Sequence, residues 1–145
     1  MKNKLRIDLI FIAGFCLSLF LHLLIVTMTF HPGNVLSMPF TAGMLIAWLY
    51  ASRTIKDIYN DSENNLSFKS ILFKLPQTQR YILLFLTFYA IINFITTLSA
   101  ESGNGWVDLN LSHDKLRGIS GFWILFYAIG YAAAHIEKQI GKSPG

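Results

Sequence analysis

A histidine within a long apolar segment is the residue of this sequence with the clearest potential for chemistry. His22 lies about 15 residues into a segment, residues 7–30, whose stretch from Ile10 to Phe30 contains no Asp, Glu, Lys or Arg. At about 1.5 Å per residue, its side chain is expected roughly 22 Å from the start of that segment. Ser18 and Gly14 precede it at four-residue steps, which predicts a small, polar helix face that contacts other helices.

Polar residues of two later apolar segments are expected at the depth of His22. The same arithmetic of depth predicts a cluster formed by His22, Asn93, Thr96 or Thr97, and Ser120, with Arg117 above it. Such a cluster either holds the helices together by hydrogen bonds or forms a ligand or proton site. We favour the first role, because no Asp, Glu, Lys or Arg lies deep in any of the segments.

Other residue combinations give weaker indications of chemistry. His31, His113 and Asp114 are chemically adequate ligands for zinc, but no ligand-spacing motif accompanies them, so we predict no metal site. His22 and His135 differ in expected depth, which argues against a bis-histidine haem. Because the sequence also lacks nucleophile-elbow, zinc-protease and phosphate-loop motifs, we expect neither an enzyme nor a cofactor.

The elements that must position these residues are apolar helices. Of the 145 residues, 53% are hydrophobic and only 14% are charged, whereas a soluble domain carries roughly 25% charged residues. The apolar segments lie at about 7–30, 35–52, 81–100 and 118–136, and each is long enough to cross a bilayer. We therefore predict an all-α fold, a single integral membrane domain of four antiparallel transmembrane helices.

The connections between these helices carry turn and cap signals. Pro32-Gly33-Asn34 predicts a turn between the first two helices, and Ser37 is expected to cap a second helix that begins just before Pro39. Residues 35–38 would then be partly irregular. Before Pro76, apolar residues recur with helical spacing and predict a short amphipathic helix in the cytoplasmic interface of the membrane: Phe68, Ile71, Leu72 and Leu75.

The distribution of basic residues predicts the orientation. The first tail, the connection between the second and third helices, and the last tail contain three, five and two Lys or Arg residues, against only Lys115 and Arg117 on the opposite side. Both termini are therefore expected in the cytoplasm, most simply at a bacterial inner membrane. The formal net charge of +4 is then explained by the Lys and Arg residues on the cytoplasmic side of the membrane. We therefore expect no nucleic-acid partner.

Three functions fit these features to different degrees. The first is a non-catalytic accessory or inhibitory membrane protein, for example a membrane immunity protein, whose partners are the lipid bilayer and another membrane protein or a second copy of the chain. The second is a small oligomeric transporter or channel with a polar site around His22 and Asn93. The third is a metal-dependent enzyme at the external face, formed by His31, His113 and Asp114.

Overall fold

Four long helices account for nearly all of the regular structure in the described part of the chain. A computed structural model describes residues 7–28, 30–60, 73–100 and 112–140 of the chain. The helices in chain order are α1 (Ile7–Met28), α2 (Gly33–Asn60), α3 (Gln77–Ala100) and α4 (His113–Ile140), and no strand occurs in those ranges. Each is long and apolar enough to cross a membrane. The predicted all-α bundle of four helices is confirmed.

Helix α4 lies at the centre of the bundle. The helices α1, α2 and α3 all pack against it, whereas α1 and α2 contact each other only slightly. Within the most apolar stretch of each helix, 67% of α4 is buried, compared with 28% of α1 and 17% of both α2 and α3. Helix α4 therefore supplies the core against which the other three helices are positioned.

Small side chains allow the helices to approach α4 closely. Ala128, Ala132 and Ala134 of α4 are buried, as is Ala47 of α2. A Cβ atom on Gly130 would meet the ring of Phe11 from α1, so glycine is required for that contact. Close approach through small residues is a general way of packing helices in lipid, where burial of apolar area gives no net gain.

The outer faces of α1, α2 and α3 are apolar and exposed. Phe20 of α1, Ile46 of α2, and Phe85 and Phe88 of α3 each expose more than 60% of their surface. An apolar surface this extensive is unfavourable in water, and it suits contact with lipid or with another membrane protein. Many of the apolar residues that the sequence places in the first three membrane spans thus face outward.

The start of α2 differs from the predicted one. The helix begins at Gly33, with a φ of +64°, in the left-handed region that favours glycine. Ser37 is therefore inside the helix, where its hydroxyl donates to the carbonyl oxygen of Gly33 at 3.0 Å. The expected cap at Ser37 and the irregular backbone over residues 35–38 are wrong. Pro39 also lies inside the helix, on an exposed surface.

The segment before α3 is only partly described. Residues 67–72 of the predicted interfacial helix lie outside the described residues. Leu75, expected on the apolar face of that helix, is buried against Ala132 and Ile136 of α4. The contact fixes the chain just before α3, which Pro76 precedes directly.

Candidate functional site

A hydrogen-bonded group centred on His22 connects three helices in the interior. His22 of α1 exposes 2% of its surface, and Ser120 of α4 is completely buried. The Nδ1 atom of His22 lies 2.7 Å from Oγ of Ser120, and its Nε2 atom lies 2.5 Å from the hydroxyl of Tyr89 on α3. Both ring nitrogens therefore have partners on other helices. We refer to Tyr89, His22, Ser120 and Asn93 as the His22 cluster.

The direction of the hydrogen bonds in the His22 cluster can be assigned from donor counts. The hydroxyl of Ser120 donates to the carbonyl oxygen of Arg117 at 2.9 Å, which uses its one hydrogen. Nδ1 of His22 must then donate to Oγ of Ser120, so in the neutral ring Nε2 accepts from the hydroxyl of Tyr89. A neutral imidazole protonated on Nδ1 satisfies every member of this chain.

Asn93 joins the same chain from α3. Its Nδ2 atom donates to the carbonyl oxygen of Arg117 at 2.7 Å, so that oxygen accepts from both Asn93 and Ser120. Gly121 makes this approach possible, since a Cβ atom there would lie 3.2 Å from Nδ2 of Asn93. The structure thus brings together His22, Asn93 and Ser120, three residues that the sequence places at one depth.

The remaining residues of the predicted cluster have other roles. Arg117 contributes its backbone carbonyl, while its side chain is exposed. Thr97 is buried but donates within its own helix, to the carbonyl oxygens of Phe94 and Asn93, and the exposed Thr96 also donates to Asn93. Threonine hydroxyls in helices commonly bond to carbonyls three or four residues earlier, which explains why neither reaches His22.

Tyr89 is the member of the cluster that sequence analysis missed. It precedes Asn93 by four residues, so the two lie on one face of α3. That spacing was the available signal, because the hydroxyl of a tyrosine can reach further than the side chain of a threonine. Tyr89 is only half-buried, and its ring packs edge-on against that of His22, with 5.5 Å between the ring centroids.

A second set of contacts attaches α2 to α4. The indole Nε1 of Trp123, which is completely buried, donates to Oγ1 of Thr41 at 3.1 Å. The ring of Phe40 stacks on Trp123 at a centroid distance of 5.4 Å. Near the other end of α4, the hydroxyl of Tyr50 donates to Oε2 of Glu137 at 2.5 Å. None of these contacts was predicted from the sequence.

An ion pair joins α1 to the same end of α4. Nζ of Lys138 lies 2.6 Å from Oδ2 of Asp8, whose side chain is mostly buried. This end of the bundle, where α1 and α3 begin and α2 and α4 end, is named the basic end because Arg53, Lys56, Arg80 and Lys138 lie towards it. The pair and the Tyr50 contact fix both α1 and α2 to α4 there.

The three weak candidates for metal ligands do not converge. Nε2 of His113 bonds to the carbonyl oxygen of Ile25 at 2.9 Å and so caps the end of α1. Nδ1 of His31 accepts from the backbone N–H of Gly33 at 3.3 Å, and Asp114 lies 3.9 Å from Nδ1 of His113. Within the described ranges, no three His, Cys, Asp or Glu residues are grouped as a metal site would require.

Comparisons of the chain with protein-family models, with curated proteins and with solved structures give no match.

Proposed function

We propose that this protein is a non-catalytic membrane protein that acts through intramembrane contacts, as an accessory subunit or an inhibitory partner of another membrane protein. A membrane immunity protein is one example of this class. The observation that carries the proposal is the pairing of the buried polar groups in the His22 cluster with one another. Both nitrogens of His22 are used in holding helices together, and neither is left to bind a ligand.

The surfaces of the bundle support a role in contacts. Helices α1, α2 and α3 each expose a face of large apolar side chains, including Phe20, Ile46 and Phe85. The ordered interior around α4 keeps these faces in fixed relative positions. A partner helix in the same bilayer can pack on such a face through shape complementarity.

We further propose that the protein resides in a bacterial inner membrane with both termini in the cytoplasm. The excess of Lys and Arg in the two tails and in the connection between α2 and α3 supports this orientation. The basic end would then face the cytoplasm, and the end at which α2 and α4 begin would face outward.

A small oligomeric transporter or channel is the second candidate. The half-buried position of Tyr89 favours it, because the phenol connects the buried His22 to the outer surface of α3. In an oligomer formed through α3, this hydroxyl would lie close to the interface. A chain of this size would need such an assembly to enclose a path.

Site-specific photocrosslinking in the native membrane separates the two candidates. A photoreactive amino acid replaces Phe20, Ile46 or Phe85 in turn, so that each outer face is sampled and the three variants serve as controls for one another. An accessory protein is expected to give an adduct with a different protein from one face in preference to the others. Adducts between copies of this chain alone, together with ligand-dependent stabilisation that His22→Ala abolishes, would contradict the accessory role and support transport.

A further inference from the structure

A cavity near the basic end opens between α1 and α3. Its volume is about 220 Å³, and its walls are formed by Ile12 and Phe15 of α1, Ile82 and Leu83 of α3, and Ala128 of α4, among others. Ile12 and Ile82 are both exposed, so the cavity opens at the outer surface of the bundle. It exists because α1 and α3 both pack against α4 and hardly against each other.

The volume and the lining of this cavity suit an aliphatic chain. An apolar cavity of about 150 Å³ inside a protein is large enough to bind benzene, so 220 Å³ can take a segment of several methylene groups. The opening faces the region that lipid occupies if the helices span a bilayer. Acyl chains are the apolar molecules present there at the highest concentration.

Gln79 places a polar atom at the end of the cavity nearest the start of α3. Its Oε1 atom is buried and accepts no hydrogen bond within the described part of the chain. A buried acceptor without a donor costs about 1–3 kcal/mol, so an occupant that donates to this oxygen would be stabilised. The polar end of the occupant is therefore expected to carry a hydroxyl or N–H group.

Arg80 follows Gln79 in the chain and adds a positive charge to the start of α3, although it does not itself line the cavity. Its guanidinium lies over the ring of Phe73, 4.6 Å from the centroid, and its Nε atom is buried without a hydrogen-bond partner among the described residues. Both residues belong to the first turn of α3, and although the backbone N–H of Arg80 donates to the carbonyl oxygen of Pro76, the positive end of the helix dipole there also favours an anion. The start of α3, which lies at the Gln79 end of the cavity, is thus suited to a negative group.

We propose that this cavity is a binding site for an anionic phospholipid. One acyl chain occupies the space between α1 and α3, a headgroup hydroxyl donates to Oε1 of Gln79, and the phosphate lies beside Arg80. Basic pockets between membrane helices are known to take anionic headgroups in this way. The inference depends on the membrane position of the bundle and goes beyond the accessory role proposed above.

Binding of defined lipids to the delipidated protein tests this site. The full chain in detergent is titrated with phosphatidylglycerol, with phosphatidylcholine of the same acyl chains, or with inorganic phosphate. Lipid adducts are counted by native mass spectrometry, and the thermal midpoint Tm is followed in parallel. We expect one retained phosphatidylglycerol and a rise in Tm, weaker retention of phosphatidylcholine, which has no headgroup donor, and no effect of phosphate alone.

Substitutions at the cavity sharpen the test. Arg80→Gln is expected to reduce the preference for phosphatidylglycerol about fivefold. Arg53→Gln, at an exposed position of α2, is its control and should leave that preference unchanged. Gln79→Leu removes the unpaired acceptor, so it preserves the fold but abolishes the lipid-dependent rise in Tm. Ile12→Trp places a large ring in the opening of the cavity. Leu17→Trp is its control, because Leu17 is an exposed residue of α1 that does not line the cavity.

If all of these variants retained phosphatidylglycerol and phosphatidylcholine equally, the retained lipids would be unspecific surrounding lipids. That result would overturn the proposal. A rise in Tm with phosphate alone would overturn it as well, because it would assign the site to a soluble anion. Neither outcome depends on whether a protein partner is found by crosslinking.

Discussion

The imidazole ring of His22 connects α1 to Tyr89 of α3 and to Ser120 of α4. In a membrane interior, a hydrogen bond between helices contributes about 0.6–2 kcal/mol. Removing one partner costs more than this when the other is left buried and unpaired. The His22 cluster should therefore stabilise the bundle measurably, with the largest share lost when the residue common to both bonds is changed.

His22→Ala is expected to lower the free energy of unfolding by about 2–3 kcal/mol, because it removes two hydrogen bonds and leaves unfilled space among packed helices. Tyr89→Phe removes one of these bonds and leaves Nε2 of the buried His22 without a donor, so it is expected to cost about 1–2 kcal/mol. Both values can be measured by unfolding in mixed micelles of mild detergent and sodium dodecyl sulfate, followed by circular dichroism.

Ser18→Ala is a matched control for these changes. Ser18 is completely buried one turn before His22, but its hydroxyl donates to the carbonyl oxygen of Phe15 in its own helix. Its loss should change the free energy of unfolding by less than about 0.5 kcal/mol. An effect of His22→Ala no larger than that of Ser18→Ala would show that the cluster does not hold the helices together.

At the scale of helices, the ring of Tyr127 on α4 lies against glycines of two neighbours. A Cβ atom on Gly14 of α1 would overlap the ring, and one on Gly43 of α2 would overlap its hydroxyl oxygen. Alanine is a better helix former than glycine by about 1 kcal/mol. Gly14→Ala and Gly43→Ala are nevertheless expected to destabilise the protein by about 1–3 kcal/mol, because the ring has to move. The loss in free energy of unfolding is measured in the same mixed micelles.

Combining each glycine variant with Tyr127→Ala tests the cause. If overlap with the ring is responsible, the double variants should be less destabilised than the sum of the single effects, by an amount beyond about 0.5 kcal/mol. Additive effects would assign the loss to the helix backbone instead and would contradict the packing described for α4.

The sequence predicts the helices well because lipid imposes a simple requirement on them. A charge-free stretch long enough to cross the bilayer must form its hydrogen bonds internally, which favours a helix. The depth arithmetic also brings His22, Asn93 and Ser120 together, since it needs only the rise per residue. Boundaries were less accurate, because the left-handed conformation of Gly33 starts α2 earlier than the Ser37 and Pro39 signals indicate.

The arrangement of the helices could not be predicted from the sequence. All four segments are apolar throughout, so hydropathy does not indicate which one lies in the centre. The central position of α4 depends on how particular side chains fit together, such as Trp123 against Phe40 and Tyr127 against two glycines. For the same reason Tyr89 was missed: its reach to His22 depends on how α1 and α3 sit on α4.

At the scale of the whole molecule, the two ends of the bundle differ in charge. With Cys16 replaced by alanine, single cysteines can be placed at Phe30, between α1 and α2, and at Asp57, near the end of α2, both exposed positions. The proposed orientation predicts that Phe30→Cys reacts with a membrane-impermeant maleimide in intact cells. Asp57→Cys should react only after the membrane has been permeabilised.

Each variant is the internal control for the other, because the two cysteines lie at exposed positions near the two opposite ends of α2. The reverse pattern of labelling would place the basic end outside. Reaction of both cysteines in intact cells would contradict a membrane-spanning α2 altogether.

The central position of α4 has a consequence for how the protein is made. Translation proceeds from α1 towards α4, so three helices enter the bilayer before the helix that they all pack against has been synthesised. During that interval their small and polar faces, including His22, lack their native neighbours. A ribosome stalled ahead of His113 would leave an assembly intermediate exposed to membrane proteases, and completion of α4 would end that exposure.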